Sequence, residues 1–300
     1  MSPVTLDLRQ ITPTLGAEIR GVDLAHLDAA VFAAIRRALL DRLVIVFRGQ
    51  HLSPEDHLAF ARRFGELEPP HPVFAHLPAH PQVSILENRA DQGVYNDEWH
   101  TDVTFRECPA LGSILYARVI PESGGDTLWA NMQAAYDALA APVKDMIEGL
   151  TAVHDICGGG PYGRVPNYRE ILLAQPDGLQ RLHRIERDFP PVSHPVVRTH
   201  PETGRKALFV NRSFTTRING VSKLESAWLL GLLLEHAEQV AFQMRHRWQA
   251  DDLVMWDNRC TQHLAVADYA PAHRVMHRVT VQGDRPALRT AASGLRLQSG

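Results

Sequence analysis

Cysteine is scarce in this 300-residue chain: Cys108, Cys157 and Cys260 are the whole complement. The number is odd and no two share a metal-type spacing, which excludes a disulfide framework or a thiolate zinc site and fits a reducing compartment. The three are read as inert thiols. Charge of one sign is also missing. With 31 Lys and Arg against 34 Asp and Glu the net charge is -3, and the basic residues are scattered. No bulk attraction to nucleic acid or anionic lipid is expected. No run approaches the roughly 20 apolar residues a membrane helix needs, and the opening MSPVTLDLRQITPTLG lacks the basic-then-apolar pattern of a secretion signal. The expectation is a cytoplasmic protein with neither nucleic acid nor membrane as partner. Internal repeats, heptads and low-complexity tracts are absent. The CGGG run at 157–160 is followed by no Gly-Lys-Ser/Thr, so it is a loop and not a phosphate cradle.

What the chain does have is 45% hydrophobic and 22% charged residues, enough to bury a substantial core. A helix is predicted near Leu27 to Arg42, a buried strand at 43–49, and a helix opening at Ser53-Pro54 with Ser as cap. The Pro- and His-dotted stretch 69–83 reads as a loop near a site or a lid. Further strands are predicted at 113–119, twice within 194–211 around a turn at Pro201 to Gly204, at 252–258 and at 277–284. A helix is expected over roughly Met132 to Leu150. The best amphipathic helix is 222–240, with Ser222 as cap and Glu225 three later. Residues 155–195 show little periodicity and read as a long insertion. The expected fold is mainly β with flanking helices, a jelly-roll core in a single domain over 1–286, followed by a frayed tail at 287–300.

Sixteen histidines are many for this length, and their placement matters more than their number. In WHTDVTF (99–105) the strand formers Val103, Thr104 and Phe105 predict extended backbone, which would send His100 and Asp102 out of one face. His263, in WDNRCTQHLAVADY, offers a third donor. Two histidines and a carboxylate leave metal positions open, the pattern of non-haem Fe(II) oxygenases. Arg274 and Arg278 are spaced to share a strand face, and paired guanidinium forks suit a dicarboxylate that chelates the metal at one end. His194 and His200 are read as structural.

These motifs, with GGDTLWANM (124–132), HPVVRTHPETGRKALFVNRSFTTRI (194–218) and the segment 256–286, resemble the taurine dioxygenase branch of the Fe(II)/2-oxoglutarate dioxygenases. The likeness runs from about residue 5 to 286. It implies a double-stranded β-helix with His100, Asp102 and His263 as iron ligands. It also implies Thr127 and Arg274 at the far carboxylate of 2-oxoglutarate, and Arg278 near both the keto-acid end and the substrate anion. By the same resemblance His71, Asn96 and Phe214, with the backbone N–H of Val103, would face a sulfonate. Phe74 departs from the pattern, standing where the taurine enzymes carry a tyrosine, and the stretch 154–163 departs from the loop that closes over substrate. The implied reaction consumes O2 and 2-oxoglutarate and hydroxylates taurine beside its sulfonate, giving sulfite, aminoacetaldehyde, succinate and CO2.

Three readings stay open: taurine; another alkylsulfonate, alkyl sulfate or carboxylate; and a metal-binding barrel or zinc hydrolase without oxygenase chemistry. No HExxH helix supports a zinc protease, and the arginine pair would be idle in a hydrolase. The partner expected is a small anion, with family members commonly forming dimers or tetramers.

Overall fold

A computed structural model of the chain describes residues 4–72, 74–88, 98–158, 162–163 and 168–289. Its frame is an eight-stranded sheet. In spatial order the strands are Asp7–Gln10, Ala17–Arg20, Val44–Phe47, Leu253–Asp257, Gly112–Val119, Arg274–Val281, His80–Asn88 and Ala75–Leu77. Neighbours run antiparallel apart from Ala17–Arg20 beside Val44–Phe47. Smaller sheets lie opposite: Thr127–Asn131 between Gln243–His246 and Thr261–Ala265, and Thr151–His154 between Thr215–Ile218 and Val192–Pro195.

Strand alternation explains the two large apolar clusters. Val44, Val46, Val254, Trp256 and Met276 point one way and pack with Trp129, Ala152, Ile218 and Met244 of the smaller sheets. Ile45, Phe47, Leu253, Met255 and Val279 point the other way, onto Ile35, Leu39, Leu58 and Phe60 of the helices Ala29–Arg42 and Pro54–Arg62. A sheet of period two with both faces apolar must be covered on both sides. The result is a jelly-roll, with one face of the large sheet closed by sheet and the other by helices. Local signals hold the covers in place. Asp28 caps the first helix, and capping boxes at Ser53/Asp56 and Ser222/Glu225 start Pro54–Arg62 and Lys223–Ala237.

Several expectations are corrected. Within 69–83, expected to be loop, Ala75–Leu77 and His80–Asn88 form a hairpin of the large sheet. Pro78 lies in its turn, and Pro81 precedes the residues 84–88 that pair with Arg274–Val281, so neither costs a ladder hydrogen bond. The single helix expected over Met132 to Leu150 is two, Met132–Ala138 and Ala141–Ile147. Pro142 would break a continuous helix but is accommodated in the first turn of the second. The stretch 155–195, read as a long insertion of little periodicity, carries the helices Tyr168–Leu173 and Gly178–Asp188, the second without a side-chain cap at Asp177. Residues 287–289 are tied down, the Thr199 N–H donating to the Ala287 carbonyl and the Arg289 N–H to Thr199 Oγ1. The rest of the expected tail, 290–300, and residues 159–161 of the stretch that departs from the family's closing loop lie outside the described residues.

Candidate metal centre and cosubstrate pocket

His263 sits in the strand Thr261–Ala265, opposite Trp129. On its other edge it pairs with a single residue, His100. The two exchange backbone bonds of 2.8 and 3.0 Å, which brings their ring centroids to 4.1 Å. Asp102 completes the group: its Oδ1 lies 3.8 Å from His100 Nε2 and 3.9 Å from His263 Nε2. The three donor atoms fall within 4.8 Å of one another and could hold a metal ion.

The strand predicted over 99–105 is not there. His100 forms an isolated bridge and residues 102–105 turn, with Val103 at φ 49°. That left-handed conformation is costly for a β-branched residue. Its neighbours hold it. Thr104 Oγ1 accepts from Asn211 Nδ2 at 3.0 Å and meets His154 Nδ1 at 3.0 Å, while His194 Nε2 lies within 3.0 Å of the Thr104 and Arg106 carbonyls. His100 and Asp102 therefore converge through a turn braced from outside and not through strand alternation.

The electrostatics suit a divalent cation. Burial alone would raise the Asp102 carboxyl, but the Arg278 guanidinium, 2.9 Å from Oδ1, and the two imidazoles hold it well below the usual range. Burial pushes His263 down to about 3 and His100 below its ordinary value, which favours the neutral ring that a metal ligand requires. The His100 Nδ1–H donates to the Glu98 carbonyl at 2.8 Å, which leaves the Nε2 lone pair facing the centre.

Arg274 and Arg278 do share a face of the strand Arg274–Val281, both buried. Arg278 serves the metal end. Arg274 has spare donors: its Nε and Nη2 donate to nothing among the described residues, and burial lowers its pKa against the opposing effects of Tyr269 and Asp126. Gly125, at φ +69°, allows the GGDT turn to lie against it; a Cβ there would come within 3.2 Å of Arg274 Cδ. Thr127, which opens the strand Thr127–Asn131, is buried, and its Oγ1 accepts from the Trp248 indole at 2.9 Å, leaving the hydroxyl proton to donate. A buried fork with unused donors could receive a carboxylate.

Around the metal end, the His71 and Phe74 rings lie 4.3 Å apart, the Arg278 guanidinium carbon is 5.1 Å from the Phe74 ring, and Phe214 meets His100 edge-on at 6.5 Å. Asn96 lies outside the described residues. Sequence reasoning missed three residues here. Tyr168 stacks parallel on Phe214 at 6.3 Å, its phenol pushed up to about 12 by burial with Arg278 and Asp102 both acting on it. Ser113 and Asn258 bond to Asp102. Tyr168 had no periodic signal, and a strand serine has none. A second group, His200, Asp257 and Cys260, is also close enough to hold an ion. The Arg259 fork already occupies Asp257 at 2.6 and 2.8 Å, with His200 at 3.0 Å, so that cluster is a closed ion-pair network.

The family described as "Taurine catabolism dioxygenase TauD, TfdA family" matches residues 7–280. The alpha-ketoglutarate-dependent sulfate ester dioxygenase of Pseudomonas putida is 39% identical over 94% of this chain and 91% of its own. The alpha-ketoglutarate-dependent 2,4-dichlorophenoxyacetate dioxygenase of Cupriavidus pinatubonensis is 36% identical over 91% and 96%. Among solved structures, a taurine dioxygenase from Burkholderia xenovorans superposes with a TM-score of 0.78 at 38% identity, over 94% of this chain and 91% of that one. AAD-2 in complex with Mn(II) and N-oxalylglycine superposes at 0.76 with 32% identity, over 95% and 100%.

Proposed function

The chain belongs to the TauD/TfdA dioxygenase family and is an Fe(II)- and 2-oxoglutarate-dependent dioxygenase, and from that premise we propose that it hydroxylates a small organosulfur oxyanion at the carbon next to its anionic group. His100, Asp102 and His263 would hold the iron. Arg274 and Thr127 would hold the far carboxylate of 2-oxoglutarate. Bound iron would bring O2 and 2-oxoglutarate together, so that one oxygen atom of O2 goes to the keto acid, released as succinate and CO2, and the other to the substrate carbon. The protein supplies position. Arg278 and His71 would anchor the oxyanion, and Phe74 and Phe214 would exclude water from the reacting carbon.

The observation that carries the choice of substrate is the wall beside Arg278. Phe74 covers the guanidinium, and Phe214 with Tyr168 forms an aromatic face next to His100. Such a wall suits an alkyl or aryl skeleton. An alkyl sulfate ester fits best. Hydroxylation of the carbon bearing the ester oxygen gives a species that collapses to an aldehyde and sulfate. The second reading is taurine, favoured by His71 and Phe214 standing where the resemblance places sulfonate contacts; its products would be sulfite and aminoacetaldehyde. We also read residues 1–286 as one domain, since both large apolar clusters are built from opposite faces of the same strands.

The test is succinate formation from 2-oxoglutarate by the Fe(II)-loaded protein in air, with hexyl sulfate, hexanesulfonate, taurine or 2,4-dichlorophenoxyacetate, following sulfate and sulfite in parallel. Hexyl sulfate giving matched succinate and sulfate supports the first reading. Sulfite matched to succinate with taurine alone would replace it with the second.

A further inference from the structure

Asp102 has two carboxylate oxygens, and they face different surroundings. Oδ1 looks toward both imidazoles, at 3.8 and 3.9 Å, and accepts from Arg278 Nη1 at 2.9 Å. Oδ2 is turned away and held by the Ser113 hydroxyl at 2.6 Å. The direction of that bond follows from what lies behind it. Ser113 Oγ accepts from Asn258 Nδ2 at 3.1 Å, so its own proton is free only to donate, and the carboxylate is the acceptor. Asn258 cannot flip to reverse this. Its Oδ1 accepts from the Trp256 indole at 2.9 Å and from the Asp102 backbone N–H at 3.4 Å, which keeps its amide nitrogen toward Ser113.

Register puts the chain together. Ser113 pairs with Trp256 on one side and with Thr280 on the other, in the interior of the large sheet. Ser113, Trp256 and Asn258 are each at most 1% exposed, so no water competes for these bonds. A carboxylate–hydroxyl bond of this kind is charge-assisted and stronger than a neutral one.

We propose that Ser113, oriented by Asn258 and Trp256, is a positioning residue that keeps Asp102 a one-oxygen ligand and so keeps a coordination position open. This rests on the metal reading of His100, Asp102 and His263. An octahedral ion with three one-atom protein ligands has three positions left. A chelating 2-oxo acid takes two and O2 the last. If Oδ2 also turned onto the ion, it would compete with the chelate for one of its two positions, because a 2-oxo acid whose far carboxylate is held at Arg274 is not free to shift to the pair that remains. The Ser113 hydroxyl holds Oδ2 on the far side and prevents it.

The inference separates from a merely structural role because it predicts opposite effects on two ligands. In Ser113→Ala, Mn(II) affinity measured by calorimetry is expected to hold or tighten, since the freed oxygen can join the ion. Affinity of the Mn(II)-loaded variant for N-oxalylglycine, an unreactive 2-oxoglutarate mimic, is expected to fall about tenfold or more, the usual scale for outer-sphere changes. The Co(II)-loaded variant should show an altered visible spectrum before the mimic is added, and Ser113→Thr, which restores a hydroxyl, should move both affinities back toward wild type. An unchanged N-oxalylglycine affinity in Ser113→Ala overturns the proposal. So does a joint fall of Mn(II) affinity, N-oxalylglycine affinity and melting temperature, which would mark Ser113 as structural. Failure of the wild-type protein to bind Mn(II) would overturn the metal reading itself, a result distinct from either.

Discussion

Arg274→Met is the most informative single substitution, because it should separate ligand binding from fold stability. Arg274 is 6% exposed, its Nε and Nη2 bond to nothing among the described residues, and its guanidinium carbon stands 5.7 Å from the Tyr269 ring. In the ligand-free protein it is a buried cation with no carboxylate bonded to it, and its interactions with Tyr269 and Asp126 offset only part of its desolvation cost. Bound to a carboxylate it should contribute a charge-assisted contact of about 1.5–3 kcal/mol. Its loss should therefore raise the 2-oxoglutarate KM by about 10- to 150-fold, while the ligand-free melting temperature stays level or rises. With Mn(II) in place of iron, 2-oxoglutarate at about 100 times its wild-type Kd should stabilise wild type by about 2.7 kcal/mol and the variant by about 0.3–1.4 kcal/mol. At about 2 °C per kcal/mol for a chain of this size, scanning calorimetry resolves the difference. Equal 2-oxoglutarate-induced shifts in the two proteins would refute the role of Arg274. A fall in the ligand-free melting temperature would refute its description as a cation whose desolvation cost is only partly offset.

Asp102→Ala should abolish succinate formation and lower Mn(II) affinity at least tenfold, since it removes a ligand and strands Arg278; retained turnover would dismantle the metal centre. Phe74→Tyr adds a hydroxyl to the ring that lies against His71 and Arg278 and should shift the ratio of kcat/KM from hexyl sulfate toward taurine, with an unchanged ratio ruling Phe74 out of selectivity. Acid should destabilise the fold well before its carboxylates titrate. Burial holds His57 down to about 3 and His194 to about 4, whereas both titrate near 6.5 once unfolded. Between pH 6.5 and 4 the unfolded chain takes up protons that the folded one refuses, so stability present above pH 6.5 is lost as pH falls, by up to about 1.4 kcal/mol per unit for each histidine. Melting temperatures that stay flat from pH 6.5 to 4.5 would contradict this.

The sequence carried the identities of the site residues because those are chemical. Two histidines, a carboxylate and two arginines on one strand are legible wherever the backbone goes, and so are helix starts written by local bonds, such as Ser53 with Asp56 and Ser222 with Glu225. Strand alternation also reads directly, as in Val44–Phe47 and Leu253–Asp257, since one residue step reverses the face. Local propensity misled where distant groups overrode it. Val103 prefers extended backbone, yet His154, His194 and Asn211, from three other segments, grip the adjoining Thr104 and hold Val103 in a left-handed turn.

What the chain by itself determined, then, is which functional groups are present and which helices and strands can start where, because caps, periods and pKa-bearing side chains act over a few residues. What only the tertiary structure decided is how those groups meet: His100 opposite His263, 163 positions apart in the chain, Tyr168 laid on Phe214, and Ser113 locked onto one oxygen of Asp102. Those contacts depend on sheet register and on burial that excludes water, and both are properties of the assembled sheets.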